Sequence, residues 1–123
     1  MMTPGQSRMA GSLNRFASMV HRRSLAAGWW STLELSNIPT KLCLIHSEIS
    51  EALEGYRKDL WDDKLPHRKM IEVELADAMI RIGDLAGALN CDIGGAIMEK
   101  LDYNAQREDH KVEVRNAQNG KKF

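Results

Sequence analysis

Four carboxylates stand out as able to do chemistry together: Glu48 and Glu51 in Ser47-Glu-Ile-Ser-Glu51, and Glu74 and Asp77 in Glu74-Leu-Ala-Asp77, with 22 residues between the two pairs. On a helix, residues three apart project from one face. Two such helices side by side would gather all four acids. Like charges at that range raise one another's pKa or force the site apart unless cations join them. All-oxygen ligands select hard divalent ions, so Mg2+ is the expected cofactor and Mn2+ its substitute. A second constellation is Lys100, Asn104 and Arg107. At about 100° per residue these three fall within one arc of roughly 60°, and two cations with an amide suit phosphate oxygens. The chemistry that joins both sets is metal-assisted attack of water on the phosphorus of a polyphosphate.

Acid pairs at this spacing are common, and the chain has five: Glu48/Glu51, Glu51/Glu54, Asp59/Asp62, Glu74/Asp77 and Glu99/Asp102. Most such pairs are solvated helix surface. The apolar periodicity separates them. Leu42, Ile45, Ile49, Ala52, Leu53 and Tyr56 form one stripe, with Glu48 on its border and Glu51 further round on the same side. Ile71, Leu75, Ala78, Met79, Ile82, Ala86 and Leu89 form another, with Glu74 at its edge and Asp77 beyond. Two of the five pairs are thereby expected to look inward. The ordinary explanation for Lys100, Asn104 and Arg107 is a solvated basic edge.

The elements that must position these residues read as four helices. Residues 1–11 mix Gly, Ser, Pro and Met without a period and are expected to be a flexible lead-in. A first helix is expected over 12–27, stopped by Gly28. Trp29 and Trp30 open a connection that ends near Asn37, with one indole expected in the core and the other available to stack. Asn37 as cap and Pro39 in the first turn start a second helix that runs to about Asp59. Pro66 is expected to open a third, which continues to Leu89. Val73, Ala76 and Ile80 lie off its main stripe, and a helix apolar on two sides has two sets of neighbours. In a short chain the second set is expected from another subunit. Asp92 caps the fourth helix, which passes a weak Gly94-Gly95 start and runs to about Asp109. The remainder, 113–123, reads as a polar tail. The fold expected is all-α: one domain over 12–112 with four main antiparallel helices.

With 123 residues, 17 basic and 17 acidic side chains, the formal net charge is zero. That argues against a dedicated nucleic-acid binder, which carries a basic excess. No window approaches 18 consecutive apolar residues, so no membrane span is expected. Cys43 and Cys91 have no metal-type spacing and are expected to be buried free thiols in a reducing cytoplasm.

The ordered set of Ser47-Glu-Ile-Ser-Glu51, Glu74-Leu-Ala-Asp77 and Lys100-Leu-Asp-Tyr-Asn104-Ala-Gln-Arg107 resembles the MazG-like all-α nucleoside triphosphate pyrophosphohydrolases over residues 42–110, and the Gly28-Trp-Trp30 stretch is similar to small phage and bacterial members. The resemblance implies a helical bundle completed by oligomerisation, as a homo-dimer or homo-tetramer. It implies Mg2+-dependent hydrolysis of a nucleoside triphosphate, often a deoxynucleotide, to the monophosphate and pyrophosphate by metal-activated water. It also implies a bacterial or phage-infected host cytosol. Metal ligation falls on Glu48, Glu51, Glu74 and Asp77, catalysis on Glu48 and Glu51, and phosphate contact on Lys100, Asn104 and Arg107. The family pattern begins with two adjacent glutamates, and Ser47 stands at the first. That departure leaves open the number of metals and which acid activates water.

Asn14, His21 and Trp30 are the candidate base-contacting residues. The base stays open between purine and pyrimidine, with small phage members pointing to a purine such as dGTP. His46 reads as a packing residue. A di-iron carboxylate bundle needs Glu-x-x-His on two helices, and no Glu here has a His three residues later. The other alternative is a non-enzymatic helical oligomerisation or interaction module.

Overall fold

A computed structural model describes residues 1–30 and 37–123; the rest of the connection after Trp30 lies outside the described residues. Among the described residues all regular structure is helical: α1 (Pro4–Ala26), α2 (Asn37–Arg57), α3 (Met70–Ala88), α4 (Ile93–Gln106), a single 3-10 turn (Glu108–His110) and the short α5 (Val112–Asn116). The all-α expectation holds. No helix is long and apolar enough to cross a membrane. The chain divides into two compact units, one of Arg15–Cys91 and one of Met1–Asn14 with Asp92–Phe123.

In the Arg15–Cys91 unit, α2 and α3 pack antiparallel. Gly55 lies against Met70, Glu48 bonds Arg81, and Lys41 lines the same cavity as Asp84. The seam between them is not the apolar stripe read from the sequence. On α2 the buried positions are Glu48, Ala52 and Gly55; on α3 they include Glu74, Ala78 and Leu85. Leu42, Ile49, Leu53, Tyr56, Leu75, Met79, Ile82 and Leu89 are exposed. Small residues let the two backbones approach closely, so the acids between them are enclosed while the larger apolar side chains point outward. The second part of α1 crosses α3 at Gly83 and Gly87. A Cβ at Gly87 would lie 2.6 Å from His21 Cβ and 2.9 Å from the Ala17 carbonyl oxygen.

Helix ends differ from the expectation where side-chain capping decides them. Pro4, not Ser12, begins α1, so residues 4–11 are helical rather than a lead-in. Thr3 Oγ1 accepts from the Gln6 N–H at 3.1 Å and Gln6 Oε1 accepts from the Thr3 N–H at 2.8 Å, a reciprocal cap with Pro4 in the first turn. Three C-termini end alike. Gly28, Asp59 and Asn90 adopt φ of 84°, 52° and 54°, and the next residue's N–H reaches back to the carbonyls of Ser24, Gly55 and Ala86. Pro66 does not open α3. Asp62, buried, accepts from the backbone N–H groups of Lys64 and Leu65 at 3.0 and 2.7 Å, and Trp61 bridges to Lys69. That turn consumes residues 62–69 before the helix starts at Met70.

In the other unit, α1 and α4 run antiparallel, held by Gln6 to Asp102 at 2.9 Å and by Asn14 Nδ2 to Asp92 at 2.7 Å. Asn14 Oδ1 also accepts from the Gly94 N–H at 2.8 Å. A Cβ at Gly94 would collide with the Ala10 carbonyl, so the glycine start of α4 is what admits the close approach. The fourth helix ends at Gln106, short of Asp109, and the expected polar tail of 113–123 is helical over its first four residues, within α5. Cys43 and Cys91 are free, as expected, but exposed rather than buried.

Candidate metal centre and its cavity

Glu48 enters the seam from α2, and Glu74 and Asp77 from successive turns of α3. One carboxylate oxygen from each lies within 4.8 Å of the others. Glu48 and Glu74 are only 7% and 9% exposed. Glu74 Oε2 is buried without a hydrogen-bond partner. A buried, unsatisfied carboxylate oxygen is costly, and a cation is the partner its chemistry calls for. Glu51 is exposed and stands outside this group of three, although its charge is felt at Glu74.

The electrostatics follow from crowding. Burial, then a hydrogen bond with Glu48 and the charges of Glu51, Glu48 and Asp77, push the Glu74 carboxyl up to about 7. Burial, and after it the charge of Glu48, also raises Asp77. Glu48 goes the other way. Burial pushes its carboxyl up, but bonds from Arg81 and Glu74 outweigh this and hold it below the ordinary value. Arg81 Nε donates to Glu48 Oε1 at 2.6 Å. Near neutral pH the cluster therefore keeps Glu48 charged against a guanidinium while Glu74 is about half protonated. Three oxygen donors from two rigid helices, one without a partner, fit a hard divalent cation.

Beside the cluster is a cavity of about 570 Å³ within the same unit, lined by Glu48 and Asp77, by the cations Arg23, Lys41 and Arg81, and by Trp29 and Trp30. The two indoles divide as expected into one buried and one exposed, and the buried one is Trp30, 7% exposed against 72% for Trp29. Trp30 Nε1 donates to both oxygens of Asp84 at 2.9 and 3.0 Å, Ser24 Oγ donates to Asp84 at 2.8 Å, and His21 Nδ1 meets it at 2.8 Å. Asp84 thus ties α1, Trp30 and α3 together. Lys41 Nζ sits 4.5 Å from the Trp30 ring centroid and donates to the Trp29 carbonyl at 3.3 Å.

Among the candidate base contacts, His21 and Trp30 spend their polar atoms on Asp84, and Asn14 clamps the start of α4 in the other unit. Lys100, Asn104 and Arg107 also belong to that other unit. Lys100 is exposed, with Nζ 4.6 Å from the Tyr103 ring centroid, and Asn104 Oδ1 is buried without a partner. Arg107 leaves the expected helical arc, because it is the C-cap with extended backbone and grips Asp109 through Nε and Nη2 at 2.9 and 2.6 Å. Arg81 and Asp84 were absent from the sequence expectation. Their signal is charge inside an otherwise apolar run, at four and seven residues after Asp77.

Comparison with protein-family models, with curated proteins and with solved structures finds no match to this chain.

Proposed function

We propose that the chain is a Mg2+-dependent nucleoside triphosphate pyrophosphohydrolase that releases a monophosphate and pyrophosphate. The observation that carries this reading is the buried, unpartnered Glu74 oxygen within 4.8 Å of Glu48 and Asp77 oxygens. The MazG-like spacing of the sequence supports it independently. Glu48, Glu74 and Asp77 would hold the ion, with Glu51 at the exposed side. Bound Mg2+ would supply positive charge against the phosphates and a lowered pKa for water. Glu51, open to solvent, is the carboxylate assigned to accept the proton of the attacking water. The cavity is of the size that takes a nucleotide, and its indoles and cations suit a planar base on an anionic tail. A phosphate role for Lys100, Asn104 and Arg107 rests on the resemblance alone, since Arg107 is engaged by Asp109.

Glu51→Gln should cut turnover by at least about a hundredfold while circular dichroism shows an unchanged helical content. Near-normal turnover would remove Glu51 from the mechanism. Lys100→Ala should raise KM for the triphosphate; an unchanged KM and kcat would make it a surface lysine.

A second reading, a helical module that only associates with itself, draws on the exposed apolar residues of α2 and α3. Both readings include a homo-oligomer. They separate on heating. A ligand that binds only the folded state must stabilise it, so Mg2+ with a nucleotide raises the melting temperature of the enzyme and leaves that of a plain module unmoved.

A further inference from the structure

We propose that Arg81 is an exchangeable counter-ion, which neutralises Glu48 while the acid cluster lacks a cation and turns to the phosphate chain of a bound substrate once a divalent ion takes its place. This rests on the metal-dependent reading above and deepens it by naming a phosphate contact inside the same unit as the acids.

Glu48 is buried and needs a positive partner, and Arg81 meets it through Nε at 2.6 Å. That leaves the Nη edge of the fork, the part best suited to pair with two phosphate oxygens. The Arg81 side chain is 40% exposed and lines the cavity with Arg23 and Lys41. It stands one helical turn beyond Asp77, so rotation about its own side-chain bonds moves the guanidinium between Glu48 and the cavity without backbone motion. One guanidinium leaves the cluster incompletely compensated, as the unpartnered Glu74 Oε2 records. A divalent ion carries twice the charge, binds all three acids, and repels a guanidinium at contact distance. Expelled from Glu48, Arg81 enters a cavity that already holds two other cations, and only an anion makes that arrangement favourable. The exchange thereby couples metal to substrate: each makes the other's site available.

The test uses the full chain and three probes: Mg2+, Mn2+ and inorganic triphosphate. In the wild-type protein the Arg81 Nε–H resonance, assigned by its loss in Arg81→Lys, should shift when Mg2+ alone is added and shift again when triphosphate follows. Arg81→Met keeps the aliphatic stem and removes the charge. It should bind Mn2+ about tenfold more tightly than wild type, because the ion no longer displaces a competitor, and Mg2+-triphosphate at least about tenfold more weakly. Mg2+ binding that leaves the Arg81 resonance in place, or a Met variant with unchanged or weaker Mn2+ binding, overturns the exchange. If the Met variant does not fold, the wild-type resonance decides alone. A wild-type chain that binds no Mn2+ defeats the metal reading itself, and this inference with it.

Discussion

Glu74 is crowded by the charges of Glu51, Glu48 and Asp77. Its carboxyl titrates at about 7 in the folded chain against an ordinary value of 4.5, so between those values the folded state holds a proton that the unfolded state has released. Stability from this group is therefore fully present below about 4.5 and lost as pH rises to about 7. In EDTA, Glu74→Gln should remove that loss and gain on the order of 1–2 kcal/mol over wild type at pH 8, read from urea unfolding. Mg2+ should stabilise wild type more at pH 8 than at pH 5.5 and leave the Gln variant unmoved. Equal Mg2+ stabilisation of both proteins would take Glu74 out of the metal site. The sequence made this residue legible through its spacing from Asp77 and its place beside an apolar stripe. It left Arg81 and Asp84 unmarked, because a pairing across two helices has no local spacing to announce it.

Helix ends and crossings are decided by small residues and caps. Thr3→Ala removes one half of a reciprocal cap and should cost about 1 kcal/mol, together with earlier exchange of the amides over residues 4–8. Gly87→Ala places a methyl against His21 and the Ala17 carbonyl and should cost about 1–3 kcal/mol, since backbone cannot yield as a flexible side chain does. A neutral Gly87→Ala would mean that α1 and α3 do not approach as closely as described. Periodicity revealed the long helices and their order. It misassigned the first start, because Thr3 to Gln6 is a capping pattern inside a stretch that has no apolar period. It misassigned the third start, because Asp62 spends its carboxylate on the turn in which Pro66 sits.

For the molecule as a whole, the notable fact is where the large apolar side chains are. The buried positions of α2 and α3 are acids, alanines, glycines and Leu85, while Leu42, Ile49, Leu53 and Tyr56 on one helix and Leu75, Met79 and Ile82 on the other face outward. The stripes were plain in the sequence. What they pack against was not, since a pattern records which face avoids water and not whether the cover comes from the same chain. If a second copy supplies the cover, the full chain should sediment well above its 13.9 kDa mass at micromolar concentration. Leu53→Glu should then weaken the assembly at least about tenfold without loss of helix. A wild-type chain that stays at monomer mass would leave those faces for a different partner.

The most direct measurement is a panel of ribo- and deoxynucleoside triphosphates incubated with the full chain in Mg2+ or in EDTA, with products resolved as monophosphate and pyrophosphate or as diphosphate and phosphate. Metal-dependent pyrophosphohydrolysis predicts monophosphate and pyrophosphate, formed with Mg2+ and absent in EDTA. Diphosphate as the product, turnover that persists in EDTA, or no turnover of any member would contradict it.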